Sequence, residues 1–220
     1  MSVDPPEGAE PVNGQAGLLA VLERAQRLGF IGPGDPENHI VHAQRFVSVV
    51  SGLVGPSDAS TLPLGIDLGS GAGLPGLVLA LALPATRWIL VESMHRRASV
   101  LDDAVQELGL DGRVSVLCER AETIGHAPTL RGNAAVVVAR SFGPPAVVAE
   151  CGAPLLGLGG HLVVSEPPDS DGHRWPRDGV EPLGLEPIGI QEQLMVLVKA
   201  GPTPPSRPRR VGIPAKRPLF

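Results

Sequence analysis

The run Ile66-Asp67-Leu68-Gly69-Ser70-Gly71-Ala72-Gly73-Leu74-Pro75-Gly76 holds the clearest chemistry in this chain. It follows a short apolar stretch and opens an apolar, helix-forming one, so it reads as a loop between strand and helix. Glycines let such a loop turn sharply and let a ligand approach the backbone. Amides at the start of the next helix favour the negative end of a ligand. In open α/β sheets, ligands lie at the carboxyl ends of strands, where this loop belongs. Gly71-x-Gly73-x-x-Gly76 also fits a dinucleotide fingerprint. In that fingerprint, however, the first glycine comes directly off the strand. Here that residue is Gly69, and counting from it puts Leu74 at the third glycine position. Asp67 at the strand end and the alternating Gly69, Gly71 and Gly73 suit a nucleoside joined to an amino acid better than a dinucleotide. S-adenosylmethionine has that make-up, with its methionine carboxylate over the helix start.

Three further positions fit the same ligand. Glu92 ends the next apolar stretch, 23 positions beyond Gly69. An acidic residue there accepts hydrogen bonds from ribose hydroxyls. Nicotinamide enzymes share this feature, so it supports a ribose without choosing between cofactors. Arg120-Ala121-Glu122 follows the third apolar stretch, near where an adenine would lie. Arg140-Ser141-Phe142 follows the fourth, at the tip that faces the methyl group in such folds. No Asn/Asp-Pro-Pro-aromatic sequence occurs there. An exocyclic amine acceptor needs groups that hold it and take its protons, whereas a ring nitrogen already presents a lone pair. Alignment then carries most of the catalysis. Arg140 would contact cofactor or substrate, or form a structural salt bridge. His39 and His42 stand one helical turn apart without a third ligand, so no metal site is expected.

These residues need a scaffold. Leu18, Leu19, Leu22, Ala25 and Leu28 recur at helical spacing and predict an amphipathic helix ending at Gly29. A second helix is expected from Glu37 to Gly52, with Ile40, Phe46, Val47 and Val50 inward. Strands are expected at Leu64–Leu68, Arg87–Val91, Val114–Leu117, Ala134–Ala139 and His161–Ser165. Helices are expected at Pro75–Leu83, Arg96–Leu108 and Ala146–Leu156, with a terminal strand pair at Leu185–Gln191 and Leu194–Lys199. Such alternation predicts an α/β fold, a Rossmann-like doubly wound sheet with a reversed edge strand. The expected division is an unstructured segment over residues 1–17, a helical cap over 18–56, a catalytic domain over 57–200 and a basic tail over 201–220.

Composition sets the bounds. The 220 residues suit one domain, 43% hydrophobic and 19% charged, with aromatics at 3% and no Tyr. Cys118 and Cys151 form no CxxC pair and read as small buried residues. No signal peptide or uninterrupted apolar span is evident, so a cytoplasmic monomer without membrane or metal partners is expected. The net charge is −5, yet Arg207-Pro208-Arg209-Arg210 through Lys216-Arg217 is locally basic. Such a strip either steers a phosphate backbone or is a solvated tail.

The chain resembles the ribosomal RNA small subunit methyltransferase G family, also called glucose-inhibited division protein B. The resemblance rests on Asp67 through Gly76 with its Leu74-Pro75-Gly76 ending, on Glu92-Ser93 followed by His95-Arg96-Arg97, and on Arg120-Ala121-Glu122. It also rests on Val138-Ala139-Arg140-Ser141 and on the ending Arg209-Arg210-Val211-Gly212-Ile213-Pro214-Ala215-Lys216-Arg217-Pro218-Leu219. It implies a class I S-adenosylmethionine-dependent methyltransferase fold and N7 methylation of a guanine in 16S ribosomal RNA. It implies cofactor contacts at Gly69, Leu74, Ala121, Glu122 and Arg140, beside Asp67, Gly71, Gly73 and Glu92 from the residues themselves. The small ribosomal subunit is the implied partner. Three stretches depart from the family pattern, the first being an upstream Asn-Leu-Thr segment that is not recognisable here. His39-Ile40-Val41-His42-Ala43 lacks the usual Asp-Ser, and Ser165-Glu166-Pro167-Pro168 stands where Lys-Gly is usual. An acidic stretch there predicts weaker attraction to phosphate. A methyltransferase on a small molecule or protein, and a non-catalytic nucleoside-binding module, are the other readings.

Overall fold

A computed structural model describes residues 14–54 and 62–220. Two helices come first, α1 (Gly14–Arg27) and α2 (Pro36–Leu53). Then follow β1 (Leu64–Leu68), α3 (Gly76–Ala82), β2 (Arg87–Val91), α4 (His95–Glu107), β3 (Val114–Leu117), α5 (Ala121–Ile124) and β4 (Ala134–Ala139). The chain continues through α6 (Pro145–Gly152), β5 (Leu156–Ser165), α7 (Arg177–Val180), β6 (Leu185–Gln191), β7 (Leu194–Lys199) and α8 (Ile213–Lys216). The seven strands form one sheet in the order β3-β2-β1-β4-β5-β7-β6. β1 to β5 run parallel, and β7 is antiparallel to both its neighbours. The reversed strand therefore lies one place in from the edge. Order along the sheet reverses between β1 and β4, which opens a crevice at their carboxyl ends.

The sequence explains the elements locally. α1 buries Leu18, Val21, Leu22 and Ala25 along one stripe. It closes at Gly29, φ +75, with the Phe30 amide donating to the Ala25 carbonyl at 2.9 Å and the Gly29 amide to Gln26 at 2.9 Å. This six-to-one closure carries Phe30 out over the crevice. Asp35 caps α2 by accepting from the Glu37 amide at 2.9 Å, with Pro36 at the first helical position. β4 is nearly continuous Val and Ala because both its faces are covered. β6 and β7 join through Glu192 (φ +50) and Gln193 (φ +60), the paired left-handed conformation that matches strand twist.

Three boundaries differ from expectation by more than two residues. α1 begins at Gly14, so Gly14–Gly17 are helical; residues 1–13 lie outside the described residues. The expected helix Ala146–Leu156 stops at Gly152, because Pro154 ends its amide ladder and a 3₁₀ turn covers Ala153–Leu155. β5 starts at Leu156 rather than His161, with a register shift opposite Ala134 and Val136. The stretch 201–220 is no solvated tail. Arg131 donates to the carbonyls of Arg207 at 2.7 Å and Pro204 at 3.1 Å, and His126 Nε2 donates to Pro208 at 2.7 Å. The strap then runs over α5 and α6 to the crevice.

Candidate functional site

The crevice holds two joined lobes of about 300 and 260 Å³. Gly69, Arg97 and Ser141 line both. The first lobe is also lined by Gly71, Leu74, His39 and Arg140. Glu92, Ala121, Glu122 and Ala215 line the second. The fold thus brings together seven of the nine residues singled out above: Gly69, Gly71, Leu74, Glu92, Ala121, Glu122 and Arg140. Asp67 and Gly73 lie behind the loop.

Each position has a local cause. Gly69 has φ +71, and a Cβ there would sit 2.8 Å from the Phe142 ring, so only glycine fits beneath it. Glu92, at the tip of β2, accepts from the Gly71 amide at 3.1 Å and from the Met94 amide at 2.8 Å. Its carboxylate ties the loop to the start of α4. Glu122 is buried, accepts from the Gly212 amide at 2.9 Å, and lies 3.6 Å from Arg120 Nε. The C-terminal strap therefore completes the second lobe, through Glu122 and Ala215.

Asp67 acts from inside. It is fully buried, accepts from the Gly76 amide at 3.0 Å, and pins the loop to its helix. Burial pushes its carboxyl up to about 7, against opposing hydrogen bonds at Ser70 and Gly76. A carboxyl with a higher folded than unfolded pKa carries extra protons when folded. Stability therefore falls as pH rises from 3.8 to about 7 and levels off above that. The Asp67→Asn protein is expected to lose this slope, worth on the order of 4 kcal/mol across the window. Urea melts at pH 5, 6, 7 and 8 check it; parallel curves for the two proteins would refute the assignment.

Arg140 leaves β4 half-buried, and its Nη2 lies 2.9 Å from His39 Nδ1. The guanidinium donates, so His39 accepts and is neutral. Burial, and then Arg140, lower His39; the same causes with Arg45 push His42 down to about 4. The helical pair dismissed as a metal site is thus a cleft element, with His39 held by Arg140. Among the described residues no group of three His, Cys, Asp or Glu side chains is placed to hold a metal. Cys151 is buried as expected. Cys118 is only half-buried, because it lies just past β3 at the cleft rim, and its Sγ is 3.2 Å from His95 Nδ1.

Sequence reasoning missed Phe30, and it named Arg97, Ser141 and Phe142 only inside motifs, without giving them a cleft contact. Arg96 and Arg97 lie 5.6 and 5.5 Å over the Phe30 ring, closing the first lobe from above. The signal for Phe30 was an aromatic residue stranded between a helix-ending glycine and a turn cluster.

Beyond Phe142 lies a third hollow of about 390 Å³ at the ends of β4 and β5. Arg140, Ser141 and Phe142 form the lip it shares with the lobes, and His42, Glu166 and Arg174 line its far side. The segment after β5 folds back onto Glu166. Trp175 is buried and donates to Glu166 Oε1 at 3.0 Å, and Arg174 Nη1 lies 3.3 Å from Oε2. Glu166 itself is internally neutralised, while Asp169, Asp171 and Asp178 further along the segment are exposed.

The β3-β2-β1-β4-β5-β7-β6 sheet with a glycine loop off β1 and an acidic tip on β2 defines a class I S-adenosylmethionine-dependent methyltransferase. A protein from Corynebacterium glutamicum shares the fold at a TM-score of 0.56 and 19% identity, over 84% of this chain and 90% of its own. A MtNAS variant in complex with S-adenosylmethionine matches at a TM-score of 0.57 and 14% identity, over 85% and 74%. The family model for rRNA small subunit methyltransferase G matches residues 20–166. Ribosomal RNA small subunit methyltransferase G of Roseiflexus castenholzii is 39% identical over 165 residues, 70% of each chain. The protein of that name in Pelotomaculum thermopropionicum is 37% identical over 165 residues, 70% of this chain and 69% of its own. This chain belongs to the ribosomal RNA small subunit methyltransferase G family, and it is an S-adenosylmethionine-dependent methyltransferase. No helix among the described residues is long and apolar enough to cross a membrane.

Proposed function

We propose that the chain methylates N7 of a guanine in 16S ribosomal RNA. The observation that carries this reading is the lip between cleft and hollow. Its side chains are Arg140, Ser141 and Phe142, and the nearest carboxylate in the hollow, Glu166, is committed to Trp175 and Arg174. The lip offers no carboxylate to take a proton from an amine, and His42 nearby, pushed down to about 4, is a weak base. N7 of guanine needs no such base, since its lone pair attacks directly.

S-adenosylmethionine, when bound, supplies an electrophilic methyl group. The residues present fit it. Gly69 and Gly71 leave the loop backbone open to it, Leu74 gives apolar contact, and Glu92 accepts from ribose hydroxyls. Ala121 and Glu122 would border its adenine, with Gly212 holding the Glu122 carboxylate. Arg140 orients the donor end, supported by His39. Catalysis then rests on alignment of the acceptor nitrogen with the methyl carbon.

The test is tritium transfer from labelled donor to small subunits lacking the modification, followed by mapping of N7-methylguanine. Transfer to one guanine is expected. Arg140→Ala is expected to lower kcat/KM about 10- to 100-fold, the loss of a charge-assisted hydrogen bond. Label on an exocyclic amine, or none with donor bound, would overturn the reading.

A further inference from the structure

The hollow beyond Phe142 adds residues the cofactor cleft does not use to the shared lip Arg140–Phe142. Glu166 is the centre of that construction. Its side chain is 1% exposed and receives Trp175 Nε1, Ser170 Oγ and Arg174 Nη1. Its own amide donates to the Gln193 carbonyl at 2.9 Å, in the turn between β6 and β7. That turn is in turn held by Arg45 of α2 through the Gln193 side chain. The Glu166 carboxylate is thus sealed on three sides and adds little field to the hollow.

Arg174 is different. Its side chain is 44% exposed and lines the hollow, and among the described residues its hydrogen bonds run only through Nη1 to Glu166. A guanidinium fixed by one nitrogen keeps an edge that matches a phosphate bidentately. Arg140 lines the lip, His42 on the far side is neutral and Arg174 balances Glu166, so Arg140 leaves the lining net positive. Arg140 Nη1 and His42 Nδ1 are buried without a protein partner. Ser141 at the lip adopts φ +55, a conformation rare outside glycine and concentrated at functional sites.

We propose that Arg174, positioned by Glu166, binds a phosphodiester of the acceptor RNA in this hollow, a proposal that rests on the RNA methyltransferase reading above. The hollow is at the right place for it. It meets the cleft at Arg140–Phe142, so a strand whose base reaches the lip lays its backbone toward Arg174. Glu166 is then a positioning residue, and Arg174 a substrate-contacting one.

The full-length chain is compared with Arg174→Ala, Arg174→Lys and Glu166→Gln on small subunits lacking the methyl group. Arg174→Ala is expected to raise KM for subunits about 10-fold and to reduce the salt slope of binding by about 1. kcat should stay within about twofold, and donor affinity should not move. Arg174→Lys should recover only part of the loss, because an ammonium keeps the charge but not the two-pronged edge. Glu166→Gln should raise KM in the same direction. If Arg174→Ala lowers only the melting temperature and leaves KM and salt slope unchanged, Arg174 merely neutralises Glu166 and the proposal falls. A wild-type chain that labels no RNA would overturn the RNA reading and this inference together. Labelling beside an unaffected Arg174→Ala would overturn this inference alone.

Discussion

Arg209→Ala is expected to lower the unfolding free energy by about 3–5 kcal/mol, the cost of leaving a buried charge unpaired. Arg209 meets Glu150 through Nε at 2.8 and 3.1 Å and through Nη2 at 2.6 Å, and its amide donates to the same carboxylate at 2.9 Å. The Glu150 side chain is completely buried in α6. Burial alone would raise its carboxyl; the Arg209 hydrogen bonds outweigh that and hold it below the ordinary range. Without the guanidinium, one amide remains on a desolvated carboxylate. The strap would loosen from α6, and with it the Gly212 amide that holds Glu122. Melting should fall by ~10 °C, with weaker donor binding as a second consequence. The Arg209→Met, Glu150→Leu double variant should be far milder, since it removes both charges. A loss below about 1 kcal/mol in urea titration would show that the strap is not anchored here. The same geometry takes Arg209 out of the basic strip, while Arg210, Lys216 and Arg217 stay exposed.

Gly76→Ala is expected to weaken S-adenosylmethionine binding about 100-fold. A Cβ at Gly76 would sit 2.3 Å from Leu90 Cδ2 and 2.7 Å from Asp67 Oδ2. Both neighbours are fully buried, so neither can withdraw without moving β1 or β2. Overpacking of this kind costs about 1–3 kcal/mol. It also separates the Gly76 amide from Asp67, and a buried carboxyl stripped of a donor costs about 1–3 kcal/mol more. The loop loses its register against the cleft. Gly71→Ala is the comparison. Its nearest neighbour would be the Gly69 carbonyl at 3.8 Å, and its φ of +56 adds only the left-handed penalty of about 1–2 kcal/mol. Calorimetric titration of both variants should rank Gly76→Ala well below Gly71→Ala. Equal affinities would mean that the loop is not pinned through Asp67.

The two expectations touch the same division between chain and fold. The loop Asp67–Gly76, the parallel strands and the helix-ending Gly29 and Gly109 are local matters of periodicity, capping and glycine spacing. Those features are readable because neighbouring residues enforce them. The same holds for the tip residues Glu92, Ala121, Glu122 and Arg140, since a strand end carries its next residue into the crevice.

Other roles depend on partners distant in sequence. Asp67 looks like a ligand contact from its motif, yet the packing of α3 on β1 seals it beneath the loop. His39 and His42 look like an idle helical pair until α2 sets His39 against Arg140, 101 positions away. The basic ending looks like a free strip until Glu150, 59 positions back, turns Arg209 inward. Glu166 looks repulsive until Trp175 and Arg174 fold over it. The sequence by itself determined the class of fold, the cofactor loop and the strand tips that face it, through short-range spacing. Only the tertiary structure decided which charges are consumed internally and which line the cleft. Burial and pairing of a charge depend on whatever the fold brings to within a few ångströms of it, and no local pattern records that.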